Sequence, residues 1–87
     1  MGEHQHDSVF PGFREMAERR RGTREGLVAH RRALGLSQVE MAARMGTSQS
    51  AVARLESGGS DIRLSTLERY AAAMGCLLEL HWSNNEH

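Results

Sequence analysis

Between Ser37 and Gly58 the segment SQVEMAARMGTSQSAVARLESG gathers side chains able to read the edges of base pairs. Gln49 carries an amide that donates and accepts at once, which suits N6 and N7 of an adenine in a major groove. Ser50 can donate or accept, and Arg54 can reach a guanine edge or a phosphate. Ala53 is small enough to let a helix lie close or to touch a thymine methyl. At about 100° per residue, Ser50, Ala53, Arg54 and Ser57 lie opposite Val52 and Leu55, with Gln49 at the N-terminal tip. An ordinary solvated helix face is the competing reading, because Gln and Ser are common on such faces. No nucleophile–base set and no phosphate loop appears, and Gly58-Gly59 alone reads as a helix stop. His4 and His6 are the only histidines close together, and no Cys/His cluster forms, so neither an enzyme, a metal site nor a cofactor is expected.

The elements that must position these residues can be read from their boundaries. Ser37 and Glu40 form a capping box ahead of an apolar face made by Met41, Ala42 and Met45. Gly46 suits the left-handed residue that ends a helix. Only Thr47 then precedes Ser48, a good N-cap for a second helix from about Gln49 to Glu56. A connection this short, with a glycine, fits two steeply crossing helices. Upstream, Pro11 could open a helix through Phe13, Met16 and Ala17 to Arg21, with Gly22 breaking it and Thr23 capping the next. Arg19-Arg20-Arg21 reads equally as a contact to a phosphate backbone or as a basic helix end. On the following helix Leu27, Arg31 and Leu34 share a face, which would bury Arg31. A buried arginine needs a carboxylate, and Glu56 beside the Val52/Leu55 face is the natural partner. The alternative is that Arg31 reaches back to water.

Downstream, Ser65 and Glu68 read as a second capping box, with Leu67, Tyr70, Ala71 and Met74 as a core face and Gly75 as the stop. Cys76, Leu78, Leu80 and Trp82 then alternate with Leu77, Glu79 and His81, the period of a strand with one buried face. A lone strand leaves its backbone groups unpaired. The economical partner is the same segment of a second copy, in a two-stranded ribbon across a two-fold axis. A short fifth helix is the alternative.

Residues from about Leu27 to Met74 resemble the helix-turn-helix domain of the phage repressor/Cro (Xre) family. The matching pieces are RRALGLSQ (31–38), Glu40-Met41-Ala42, Gly46, SQSAVARLESG (48–58) and LxxYAxAMG (67–75), in the family order and spacing. The resemblance implies that Gln38 contacts a phosphate and that Gln49, Ser50 and Arg54 face bases or nearby backbone. It also implies that Ser48 and Ser57 are placed for phosphates, and it supports the Arg31–Glu56 pair. The terminal strand departs from the simplest repressors, many of which have a fifth helix there. It is similar to the antitoxins of toxin–antitoxin pairs of the HigA and HipB type.

These readings fit the bounds set by composition. The 87 residues, 39% hydrophobic and 25% charged, suit one small globular domain. The expected class is all-α, a repressor-like bundle of four to five helices with a short C-terminal β-strand pairing across a dimer. Residues 1–22 form a tail and short helix, 23–75 the DNA-binding domain, and 76–87 the dimerisation strand and tail. No run is long enough to span a membrane and no signal-peptide pattern appears. A single cysteine, Cys76, fits a reducing cytoplasm. Net charge is zero, yet residues 14–54 hold nine Arg against four acidic residues, so the positive part lies over the motif. The expected function is a sequence-specific DNA-binding regulator, a homodimeric (auto)repressor reading an inverted repeat in double-stranded DNA. The alternative is an antitoxin that neutralises a toxin protein and represses its own operon, with residues 1–22 or the acidic C-terminal region meeting the toxin. A fold-retaining adaptor that does not bind DNA would need a lost Gln49 or an acidic recognition helix, and neither is seen.

Overall fold

The computed structural model describes residues 12–58 and 62–79. Among the described residues four helices follow one another: α1 (Phe13–Ala33), α2 (Gln38–Met45), α3 (Gln49–Ser57) and α4 (Leu64–Ala73). No strand occurs among the described residues, so the class is all-α. Cys76–Glu79 is neither helix nor strand. Leu80 and Trp82, the far half of the proposed strand, lie outside the described residues.

The boundaries of α2 and α3 follow from local chemistry. The Glu40 backbone N–H donates to Ser37 Oγ at 3.0 Å, and the Ser37 N–H donates to Glu40 Oε1 at 2.8 Å. Two of the orphan donors at the helix start are thereby satisfied. The same bonds hold the Glu40 carboxyl below its ordinary range, the backbone bond to Ser37 being the largest cause. Gly46 ends α2 at φ 70°, ψ 38°, a conformation in which a Cβ would clash with the following carbonyl. Ser48 Oγ accepts from the Ala51 N–H at 3.1 Å and opens α3 two residues later.

Three expectations need correction. Gly22 does not break a helix: α1 runs unbroken for 21 residues through Gly22 and Gly26. A glycine inside a helix costs only about 1 kcal/mol relative to alanine. The Arg, Glu, Met and Ala residues around these two glycines are strong helix formers and carry the helix across them. Leu34 is not a core residue, being half exposed; Val28 takes that place beside Leu27 and Arg31. The chain turns out of α1 at Leu34, so the helical face drawn through it ends one residue earlier. Ser65 is not an N-cap either. The backbone enters α4 at Leu64, with Arg63 as the extended cap at φ −74°, ψ 146° and no side-chain cap bond. Ser65 therefore sits inside the first turn, where its hydroxyl cannot close a box with Glu68.

The core is Val28, Met41, Ala42, Val52, Tyr70 and Met74, one contribution or more from every helix, with Leu27, Leu36, Met45, Leu55, Ala73 and Cys76 packed against it. Two reciprocal ties join α2 to α4. Arg44 Nη1 donates to the Ala73 carbonyl at 2.9 Å and Arg69 Nη2 donates to the Met45 carbonyl at 2.8 Å. Each arginine thus satisfies an orphan carbonyl at the C-terminus of the other helix, where the macrodipole favours a cation.

Candidate nucleic-acid interface

Beneath the exposed tip of α3 lies one polar network. The Glu56 carboxylate receives four hydrogen bonds: Arg31 Nε at 2.7 Å and Tyr70 Oη at 2.6 Å on Oε2, Arg31 Nη2 at 3.0 Å and Gln38 Nε2 at 2.9 Å on Oε1. Two donors per oxygen fill the acceptor capacity of an ionised carboxylate. The remaining Arg31 branch donates to the Leu36 carbonyl at 2.7 Å, in the turn between α1 and α2. Both members of the ion pair are almost wholly buried, with side-chain exposures of 8% for Arg31 and 6% for Glu56. Burial alone would raise the Glu56 carboxyl. The hydrogen bonds from Arg31, Tyr70 and Gln38 outweigh it and hold the group below its ordinary range. The Tyr70 hydroxyl moves the other way, raised first by burial and then by its bond to Glu56. Arg31 is pushed up, chiefly by its bond to Glu56.

The network reaches the surface through two amides. Gln38 turns its NH2 group to Glu56, which can only accept, and so presents its oxygen outward. Gln49 Nε2 donates to that oxygen at 2.7 Å. The direction of donation therefore propagates from a buried carboxylate to the first residue of α3. Gln49 is left with its amide oxygen and one N–H facing out. That is one acceptor and one donor on a plane, the set an adenine edge requires.

Around this tip the other candidates fall as follows. Ser48 and Ser50 are exposed, with their hydroxyls 3.2 Å apart. Ala53 is half-buried and Arg54 exposed on the same helix. Ser57 is exposed and spends its hydroxyl proton on the Arg54 carbonyl at 2.9 Å. Gln49, Ser50 and Arg54 thus share the open side of α3, while Val52 is fully buried behind them.

Arg24 was invisible as a positioning residue in the sequence. Its guanidinium lies over Gly58, the left-handed stop of α3 at φ 73°. A Cβ on Gly58 would sit 2.5 Å from Arg24 Cζ. The charge is therefore held against the carbonyl end of α3, where it is electrostatically favoured. Nothing local marks it, because Arg24 and Gly58 are far apart in sequence and α1 carries several other arginines.

A family model described as helix-turn-helix matches residues 27–80. Antitoxin HigA1 of Mycobacterium tuberculosis (strain H37Rv) is 46% identical over 74 residues, covering 85% of this chain and 50% of that protein. The HigA1 of strain CDC 1551 / Oshkosh matches to the same extent. Putative antitoxin HigA3 of strain H37Rv is 44% identical over 79 residues, covering 79% of this chain and 72% of that protein. The chain spans about half the length of the HigA1 relatives. No solved structure matches it. Over half of the chain lies within the matched motif, and its two helices meet through the capped glycine turn that the motif requires; the chain belongs to the Xre-type helix-turn-helix family and is similar to HigA antitoxins.

Proposed function

We propose that this protein is a sequence-specific DNA-binding regulator that inserts α3 into a major groove, and that it acts as a homodimeric repressor of its own promoter. The observation that carries this reading is the hydrogen-bond relay from Glu56 through Gln38 to Gln49, which fixes a base-reading amide before any DNA arrives. Preorganisation of this kind removes ordering cost from binding. Gln49, Ser50, Ala53 and Arg54 are the base-facing set. Gln38, Ser48 and Ser57 serve the phosphates, Gln38 through its second amide hydrogen while its oxygen orients Gln49, and Ser57 by turning its hydroxyl proton away from the Arg54 carbonyl. The site performs recognition and no catalysis, in keeping with a non-enzymatic family.

In this reading a dimer forms through residues 76–82, with Cys76, Leu78, Leu80 and Trp82 on one face. It presents two α3 helices to an inverted repeat whose half-sites lie about 34 Å apart. No helix among the described residues is long and apolar enough to cross a membrane, which suits a regulator working in the cytoplasm.

A second reading is favoured by the HigA relatives: an antitoxin that neutralises a toxin protein and represses the operon encoding both. The two are compatible on one chain, because the DNA face uses α2 and α3 and a protein partner could be met elsewhere, on α1 for example. The test is binding of purified protein to its own upstream DNA and to scrambled DNA of equal length across a salt series. Preference of about a thousand-fold or more for the upstream piece, with two protomers per site, is the expected result. Equal, steeply salt-dependent binding to both would reduce the activity to phosphate attraction. Absence of binding at low salt would overturn the DNA reading. Co-purification with the product of the adjoining reading frame decides the antitoxin role.

A further inference from the structure

A cleft of about 280 Å³ lies between α3 and the start of α4, bordered by the α2–α3 turn. Val52, Leu55 and Ile62 give it an apolar lining, and Thr66 adds a hydroxyl. Three arginines converge on it: Arg54 from α3, Arg63 at the cap of α4, and Arg69 further along α4. Arg69 spends one branch on the Met45 carbonyl. Among the described residues no side chain holds the guanidinium of Arg54 or Arg63, and no carboxylate lines the cleft.

Like charges gathered in one cleft repel, and an anion placed among them turns that cost into attraction. A cleft lined by one sign of charge also concentrates counter-ions. Guanidinium forks match the oxygens of a phosphate or carboxylate. The size argues for more than a bare ion. One water takes about 30 Å³ of liquid, so the cleft has room for several. Inorganic phosphate would leave the apolar lining wet. An apolar body carrying an anionic head uses both parts of the cleft, the usual division of labour in a small-molecule site.

We infer that this cleft binds a small organic phosphate and that its occupancy weakens DNA binding. The head group meets Arg54, Arg63, Arg69 and Thr66, and the body covers Val52, Leu55 and Ile62. Arg54 couples the two events, because it lines the cleft and also stands exposed on the open side of α3. A ligand that engages Arg54 withdraws that charge from DNA, and by linkage DNA weakens the ligand equally. The coupling rests on the DNA-binding reading; the binding of the ligand does not.

The probe is phenyl phosphate, titrated into the DNA-free full chain at constant ionic strength and followed by NMR of backbone and arginine N–H signals. Inorganic phosphate and phenol are titrated alongside. Saturable shifts at the residues of the cleft are expected, with affinity about tenfold or more above both comparisons. Arg63→Gln should weaken binding about tenfold, the worth of one charge-assisted hydrogen bond, and Thr66→Val severalfold. Circular dichroism should show helix content retained in both. Arg32→Gln, exposed on α1 and outside the cleft, should bind as the wild type does. In a second arm, saturating phenyl phosphate should weaken binding to the upstream DNA about tenfold at matched ionic strength. Arg63→Gln should lose most of that effect at the same probe concentration. Absence of saturable shifts at the cleft would overturn the proposal, as would equal affinity for inorganic phosphate or an equal loss in Arg32→Gln. A lowered salt slope of DNA binding in Arg63→Gln, with no phenyl phosphate site, would assign the cleft to the DNA backbone and overturn it. A filled cleft with DNA affinity unchanged would overturn the coupling. If the chain binds no DNA at all, the coupling falls with the DNA-binding reading, and the titration alone still decides the site.

Discussion

Glu56 accepts from Arg31, Tyr70 and Gln38 at once, so its removal strands an arginine in the core as well as a tyrosine hydroxyl. Glu56→Ala is expected to cost about 3–5 kcal/mol, the penalty of breaking a buried pair from one side. Tyr70→Phe removes one bond to a charged group and should cost about 1.5–3 kcal/mol. Urea unfolding measures both. The pH dependence follows from the directions of the two shifts. The Glu56 carboxyl is depressed in the folded state, so its stabilisation is present above the unfolded carboxyl pKa of about 4.3 and is lost as pH falls through the folded value. The Tyr70 hydroxyl is raised, so its contribution is full below the unfolded value of about 10 and is lost as pH climbs beyond it. Glu56→Gln should flatten the acid limb of a stability–pH curve, leaving the part due to Glu40. Tyr70→Phe should flatten the alkaline limb. The Arg31–Glu56 pair was legible from helical spacing because Arg31 had to sit on an apolar face and needed a carboxylate. Tyr70 and Gln38 were not legible as members, since a core tyrosine and a glutamine in the first turn of a helix satisfy every local pattern without meeting. Their meeting also changes the expectation for recognition. Gln49→Ala should cost about 1–3 kcal/mol on the cognate site and relax preference at one base pair. Gln38→Ala, as a phosphate contact alone, would weaken all sites equally. As the residue that holds Gln49, it should also lower discrimination at the Gln49 position. Competition binding against singly substituted sites separates the two.

At the scale of elements, α2 and α3 were readable because their signals are local: a box of two side chains, a glycine, a serine, all within a few residues. The course of α1 was not, because a glycine marks a helix break or an interior position with the same symbol. The decision lies in the summed propensity of its neighbours. This gives a prediction with a definite sign. Gly26 lies within α1, and a Cβ there meets nothing within 4 Å. Gly26→Ala is expected to stabilise the protein by about 0.5–1 kcal/mol, seen as a higher melting temperature. Gly58→Ala should do the opposite. Its left-handed backbone alone costs a side chain about 1–2 kcal/mol, and the new methyl must displace the Arg24 guanidinium. The start of α4 was misread for a related reason. Two overlapping frames, one capped at Ser65 and one entered at Leu64, bury the same Leu67, Tyr70, Ala71 and Met74 face. Hydrophobic periodicity cannot distinguish them, and the chain takes the frame that gives α4 two more residues at its start, Leu64 and Ser65.

For the molecule as a whole, composition cannot tell an arginine engaged by the fold from one open to a partner, and five of the eleven illustrate the difference. Arg24, Arg31, Arg44 and Arg69 are engaged by the fold, on the end of α3, on Glu56, and on the Ala73 and Met45 carbonyls. Arg54 stands exposed on α3. With zero net charge overall, the salt dependence of DNA binding should report these local contacts rather than the total charge. Each phosphate contact adds about 0.9 to the slope of log K against log salt. A two-fold dimer counts every contact twice, so Arg54→Ala should lower the slope by about 1.8 if Arg54 meets a phosphate, and by about 0.9 if a single protomer binds. If Arg54 meets a guanine instead, the slope should hold while preference at one base pair falls by about 1–3 kcal/mol. Arg44→Ala provides the contrast: its guanidinium already bonds the end of α4, so its loss should lower the melting temperature and leave the slope alone. A slope change for Arg44→Ala equal to that for Arg54→Ala would show that the end of α2, and not only the tip of α3, lies against the DNA backbone.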